Sequence, residues 1–167
     1  MSHAATANHD TSTQAGGRFL CFSLGKDKFA IPLLQVKEVI AYVETTSIPQ
    51  APNYFKGIMN LRGQVISIID LRLKLKCGKP DQTSETTIVI LDLAPLSLGV
   101  VVDTVDSVME FEGKDISDTP DTDSSLKISY ITGVARTEGH LTLLLDLKAA
   151  LNADDFKAMK TAGPKAA

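Results

Sequence analysis

YFKGIMNLRGQVISIIDLRLKL (residues 54–75) lies over YITGVARTEGHLTLLLDLKAAL (130–151) at one constant offset. Tyr54 meets Tyr130, Gly57 meets Gly133, Gly63 meets Gly139, Asp70 and Leu71 meet Asp146 and Leu147, and Leu75 meets Leu151. Between these identities the apolar positions persist as Ile58/Val134, Val65/Leu141, Ile68/Leu144 and Ile69/Leu145. A second pair, FAIPLLQVKEVI (29–40) and LGVVVDTVDSVM (98–109), follows the same order along the chain, with Ile31 over Val100, Val36 over Val105, Val39 over Val108 and Ile40 over Met109. Two matches in register mark two copies of one small unit.

The unit is rich in β-branched and aromatic residues. RFLCFSL, KFAIPL, VKEVIAYV, GIMNLR and QVISIIDL read as strands in the first copy. TTIVILDL, LSLGVVV, VDSVMEF, ITGVART and HLTLLLDL read as strands in the second. Some five short strands per copy are too few for a sandwich and enough for a small barrel that hides its own edges. Leu33, Val36 and Ile40 recur at helix-like intervals, so a helical turn is expected near PLLQVKEV. Asp70 and Asp146 each precede a helix signal and suit the N-cap position. A last helix is expected over ADDFKAMK, starting near Asn152 or Ala153.

These signals divide the chain into a leader at 1–17, a first barrel at 18–79, a linker at 80–87, a second barrel with its C-terminal helix at 88–160, and a tail at 161–167. The leader and tail are small and polar, a composition that does not repay the entropy of ordering. The first strand and the last helix are left open to cross between the barrels.

Of the 167 residues, 44% are hydrophobic but only 5% are aromatic and none is Trp, so the core has to be aliphatic. A net charge of −3 excludes a broadly basic nucleic-acid footprint. Charged residues interrupt every apolar run well short of the ~20 residues that a membrane-spanning helix needs. Cys21 and Cys77 lack the repeated spacing of a zinc site or a disulfide framework and read as reduced thiols.

Sequence motifs for catalysis are missing: no Gly-x-Gly-x-x-Gly, no phosphate loop and no His-Glu-x-x-His. His3 and His9 fall in the leader, and His140 reads as an exposed residue at a strand start. The acidic stretch 112–127 lacks the glycine and terminal glutamate of a calcium loop and reads as a solvated connection. No catalytic, cofactor or metal residue is therefore assigned. A groove between two aliphatic barrels suits a partner's helix, which makes a binding module the first reading. A ligand-binding or hydrolytic domain using that groove and His140 is the second.

The repeat also acts as an internal control. Gly63 and Gly139 are shared, as a corner with positive φ requires. Arg62 is not shared, its counterpart being Glu138, and Glu38 in VKEVI corresponds to Ser107. The first copy thus carries a glutamate and an arginine that the fold does not demand. They are expected to face each other on the outer surface of the first barrel, positioning the arginine more than stabilising the fold.

FLCFSLGKDKFAIPLLQVKEV, FKGIMNLRGQVISIIDLR and LGVVVDTVDSV together resemble the CheW family of bacterial chemotaxis adaptors, over residues 18 to about 155. The Phe-Lys-Gly-x-x-Asn-Leu-Arg-Gly corner (55–63) followed by Asp-Leu-Arg (70–72) carries the resemblance. It implies a mainly β fold of two tandem SH3-like five-stranded barrels with short helices and no catalytic activity. It further implies a cytoplasmic protein, recruited to membrane-associated receptor clusters, that couples the hairpin tips of chemoreceptors to the regulatory domain of the histidine kinase CheA. Carried over by position, Val36, Glu38, Gly57, Arg62, Gly63 and Val108 are the implied partner-binding residues. The length leaves no room for a receiver or an ATP-binding domain, and an adaptor of a parallel system governing surface motility is the alternative.

Overall fold

Short apolar runs buried on both faces make the central strands, and an alternating pattern shows most plainly on the edge strand Val36–Ala41. In the computed structural model the described residues are 16–77, 79, 81–93, 96–117, 130–137, 139–152, 155, 157 and 159. Residues 1–15 of the leader, the tail at 161–167 and Glu138 lie outside them, as do residues 118–127 of the acidic stretch. The strands are β1 (Gly17–Leu24), β2 (Asp27–Pro32), β3 (Val36–Ala41), β4 (Phe55–Leu61), β5 (Gln64–Asp70), β6 (Thr87–Leu93), β7 (Leu96–Val102), β8 (Thr104–Phe111), β9 (Ile116–Ser117), β10 (Ile131–Thr137) and β11 (His140–Leu145). Two four-residue helices, α1 (Leu71–Lys74) and α2 (Leu147–Ala150), follow β5 and β11. Asp70 caps α1 by accepting from the Arg72 amide, and Asp146 caps α2 by accepting from the Lys148 and Ala149 amides. The helical turn expected near PLLQVKEV is a 3-10 turn over Leu33–Gln35. Asp155, Lys157 and Met159 are helical within the expected last helix.

The strands form two sheets, ordered β8-β1-β2-β11-β10-β9 and β3-β6-β7-β5-β4. The two orders superimpose under the repeat: β3 answers β8, β6 answers β1, β7 answers β2, β5 answers β11 and β4 answers β10. Each sheet contains one parallel pair, β2 with β11 and β5 with β7, and its remaining pairs are antiparallel.

Sheet membership departs from the contiguous division at 79 and 88. The β1–β2 hairpin joins strands of the second copy, and the β6–β7 hairpin joins strands of the first. The crossovers explain this exchange. Only Leu33–Gln35 separates β2 from β3, and only Asp103 separates β7 from β8, so neither strand turns back beside its own hairpin. Each passes directly to the other sheet.

Three apolar clusters result. Ile66, Ile68, Ile88, Ile90 and Val101 fill one barrel. Cys21, Ala30, Phe111, Ile116, Ala135 and Leu144 fill the other. The alternate residues of the same strands, among them Leu20, Phe22, Leu24, Val89, Leu91, Val100 and Leu145, meet in a larger core between the sheets. Strands buried on both faces read as continuous apolar runs, as TIVIL and LGVVV do.

Closure of each barrel depends on a glycine. Thr46 bridges Ile58 of β4, their amides and carbonyls exchanging two hydrogen bonds of 2.9 Å. At the equivalent place β9 pairs Ser117 with Val134 of β10. Gly57 sits where the register shifts, with φ +129°, and a Cβ there would overlap the Thr46 carbonyl. A Cβ on Gly133, at the matching shift in β10, would press on Ile116 and the Ser117 carbonyl.

Two polar networks brace the junction between the sheets. Arg72 is 1% exposed, and its Nε and Nη2 donate to the two Asp70 oxygens at 3.0 Å. Its Nη1 donates to Asp103 at 2.9 Å and to the Asp81 carbonyl at 2.7 Å. Burial works against the guanidinium charge, but Asp70 and Asp103 outweigh it and hold the pKa above its ordinary value. In the second network the fully buried Asp155 accepts from Lys74 Nζ at 2.7 Å, from the Tyr54 hydroxyl and from the Asn152 amide. The Lys74 ammonium also lies 4.4 Å from the centre of the Tyr54 ring. The last helix thereby reaches back to Tyr54, just before β4, and to Lys74 of α1 in the first copy.

Candidate interaction site on the first barrel

β4 and β5 are joined by a two-residue loop, Arg62-Gly63, with Leu61 paired to Gln64. Both loop residues have positive φ, +52° at Arg62 and +87° at Gly63, as a type I′ hairpin turn requires. The Asn60 side chain accepts from the Gly63 amide at 2.8 Å and stabilises the corner. Gly139 repeats the geometry in the second copy with φ +79°. Asn or Gly fits the first loop position without strain, whereas arginine holds left-handed backbone at a cost.

The Arg62 side chain returns across the closing seam of the barrel to β3. Its Nη1 and Nη2 donate to Oε1 and Oε2 of Glu38 at 2.5 and 2.7 Å, a two-pronged fork on the carboxylate. The Arg62 side chain is 72% exposed and the Glu38 side chain 25%. The hydrogen bonds from Arg62 hold the Glu38 carboxyl below its usual range, and Glu38 in turn raises the guanidinium. Both groups stay ionised through the neutral range. The expected pair thus forms, on the expected surface.

The remaining candidates divide between surface and core. Gly63 completes the corner, and Gly57 serves barrel closure, a duty it shares with Gly133. Val36 is half-buried against the core between the sheets. Val108 is 51% exposed on β8, an edge strand of its sheet, opposite Leu20 of β1. Its repeat equivalent Val39 is exposed on β3, the matching edge of the other sheet. Val108 lies in the other sheet from the Glu38–Arg62 pair. The candidates therefore mark two places, one on each barrel.

Two structurally important residues give little sign of themselves in the sequence. Arg72 stands in a mixed run, Asp-Leu-Arg-Leu-Lys, that shows no preference for burial, and Asp155 lies in a helix with several other charges. Burial also raises the thiols of Cys21 and Cys77, each to about 11, so both free cysteines are weak nucleophiles. His140 is exposed, and among the described residues no acid or hydroxyl is hydrogen-bonded to it. No described helix is long and apolar enough to cross a membrane.

Two exchanged β-barrels, the first with an ion-paired arginine exposed at its hairpin corner, define the class of fold to which the chain belongs. Residues 18–155 match the CheW-like domain model, and the chain belongs to that family. It is 30% identical to the chemotaxis protein CheW of Klebsiella aerogenes over 156 residues, 93% of this chain and 94% of that one. It is 28% identical to the chemotaxis protein CheW of Rhizobium meliloti over 146 residues, 87% of this chain and 94% of the other. The crystal structure of the scaffolding protein TtCheW from Thermoanaerobacter tengcongensis superimposes with a TM-score of 0.76 at 26% identity, covering 84% of this chain and 95% of that one. The chain is a non-enzymatic adaptor of the CheW family, mainly β, with two SH3-like barrels.

Proposed function

We propose that this adaptor couples the cytoplasmic hairpin tips of chemoreceptors to the histidine kinase CheA, working in the cytoplasm at membrane-associated receptor clusters. The Glu38–Arg62 fork is the observation that supports this reading most directly. It occupies an exposed corner where the second copy has Glu138 and Ser107, so barrel formation does not require it. A guanidinium held by a single carboxylate is preorganised for a partner and open to competition from the partner's own acidic groups. Val36, Glu38, Gly57, Arg62, Gly63 and Val108 are the partner-binding residues on this reading, with Gly57 and Gly63 acting through shape. The exposed edges at Val39 and Val108 suit packing of barrel against barrel, as with a kinase regulatory domain of the same fold.

Capture of a receptor cytoplasmic fragment and of the kinase, alongside receptor-controlled kinase activity, tests the proposal. The unsubstituted chain is expected to confer receptor control, and Arg62→Glu to remove it. Receptor control that needs neither the chain nor Arg62 would overturn the reading. Glu38→Ala and Arg62→Ala are expected to be non-additive in binding, and strictly additive losses would show that the pair does not act as a unit.

A parallel chemosensory system is the second reading. The chain is also 26% identical over 122 residues to a relative not named for chemotaxis, Protein FrzA of Myxococcus xanthus, 73% of this chain and 76% of that one. Capture of one receptor class in preference to another separates the two.

A further inference from the structure

The two crossovers between the sheets are equivalent under the repeat but are built differently. Asp103 carries the chain from β7 to β8, and the residue equivalent to it between β2 and β3 is Leu34. At the first crossover the Asp103 carboxylate accepts from Arg72 and from the Gly25 amide, the latter at 2.6 Å. The Asp103 amide donates to the Ser23 carbonyl at 3.1 Å. Arg72, itself fixed by Asp70, therefore ties the end of β5 in one sheet to the β1–β2 turn of the other, through the crossover residue.

At the second crossover neither the carboxylate nor the guanidinium is present. Leu34 is 99% exposed. Asp146, the equivalent of Asp70, only caps α2, and the Arg72 equivalent, Lys148, is exposed and forms no ion pair with it. The repeat again serves as a control: the exchanged fold forms its second crossover without an arginine–aspartate bolt, so the first bolt has another use.

Apolar burial holds the sheets together but is non-directional, and a core of aliphatic side chains sets their mutual angle only loosely. The guanidinium is directional. Four of its five donors are engaged, on acceptors from three separate segments. Desolvation of three charged groups offsets most of the attraction among them, so the network contributes arrangement more than net stability.

We propose that Arg72 is a positioning residue: bridging Asp70 and Asp103, it locks one crossover and fixes the orientation of one barrel against the other, which coupling through the adaptor requires. The last clause rests on the adaptor reading above; the lock itself does not.

Spin labels at Lys37 on β3 and Glu110 on β8, both exposed, report the distance between the sheets in a Cys21→Ala, Cys77→Ser background. Arg72→Met, which keeps the apolar stem, is expected to broaden that distance distribution while the strands stay formed. Asp103→Asn is the milder variant should Arg72→Met fail to fold. A distribution as narrow as that of the unsubstituted chain in a folded variant would overturn the lock. In the label-free chain either variant is expected to change receptor and kinase affinity by less than about tenfold while receptor control of the kinase is lost. Control that falls only in step with binding would overturn the coupling role. Failure of the unsubstituted chain to bind kinase or receptor would refute the adaptor reading, and the distance measurement would still decide the lock.

Discussion

Arg62 is a residue that its own backbone argues against. The loop wants Asn-Gly or Gly-Gly, and the fork to Glu38 is too exposed to make good the strain. Arg62→Asn is therefore expected to leave the urea midpoint unchanged or higher while partner capture is lost. A clear fall in the midpoint would instead make the arginine structural. This residue's distinction was legible in the sequence because the chain contains its own comparison, NLRGQ against RTEGH. Its positive φ was not legible, since the sequence signal for left-handed backbone pointed only at the glycine beside it. Asp155 was not legible at all. A carboxylate among neighbouring charges carries no mark of burial until its partners Lys74 and Tyr54, far away in sequence, are known.

Elements follow from pattern wherever two faces are apolar. The strand runs were readable because Val, Ile and Leu fill both the barrel and the intersheet positions of one strand. β9 escaped because two residues are too few to show alternation, and it lies within the acidic stretch read as a solvated connection, where Ile116 is instead buried in the second barrel. Closure of the first barrel at Gly57 predicts that Gly57→Ala destabilises by about 2 kcal/mol or more, because neither the φ nor the Thr46 carbonyl can yield cheaply. Chemical denaturation measures this. The last helix is held by Asp155, whose carboxyl burial alone would raise; hydrogen bonds from Lys74, Tyr54 and the Asn152 amide bring it below its ordinary 3.8. A lowered folded pKa supplies stability above the unfolded value, and that stability is lost as pH falls through the folded value. Asp155→Asn should thus cost about 2–3 kcal/mol near neutrality. The gap to the unsubstituted chain should narrow below about pH 4. A gap independent of pH would mean that the ion pair is not its source.

For the whole molecule, duplication was plain in the sequence, whereas exchange was not. Alternation says which side chains share a face and leaves open which strand lies alongside. Only the brevity of the crossovers, three residues and one, bears on that choice, and it needs strand ends known to the residue. The exchange predicts that residues 1–79 expressed alone, lacking β6 and β7, do not fold cooperatively, and that mixing them with 80–167 restores a cooperative transition by circular dichroism. Independent folding of the first fragment would contradict the sheet order.

The exchange also sets a timetable for synthesis. As the chain leaves the ribosome, β1 and β2 can pair only with each other, because β8 and β11 are still to be made. The sheet of β3 to β5 likewise waits for β7, and β2 gains its parallel neighbour only when residues 142–144 emerge, close to the end. Such long-range pairing is slow and leaves strand edges open in the nascent chain. The β3–β7 sheet can therefore close once residue 102 has emerged, whereas the sheet holding β1 and β2 stays open until residues 140–145 follow.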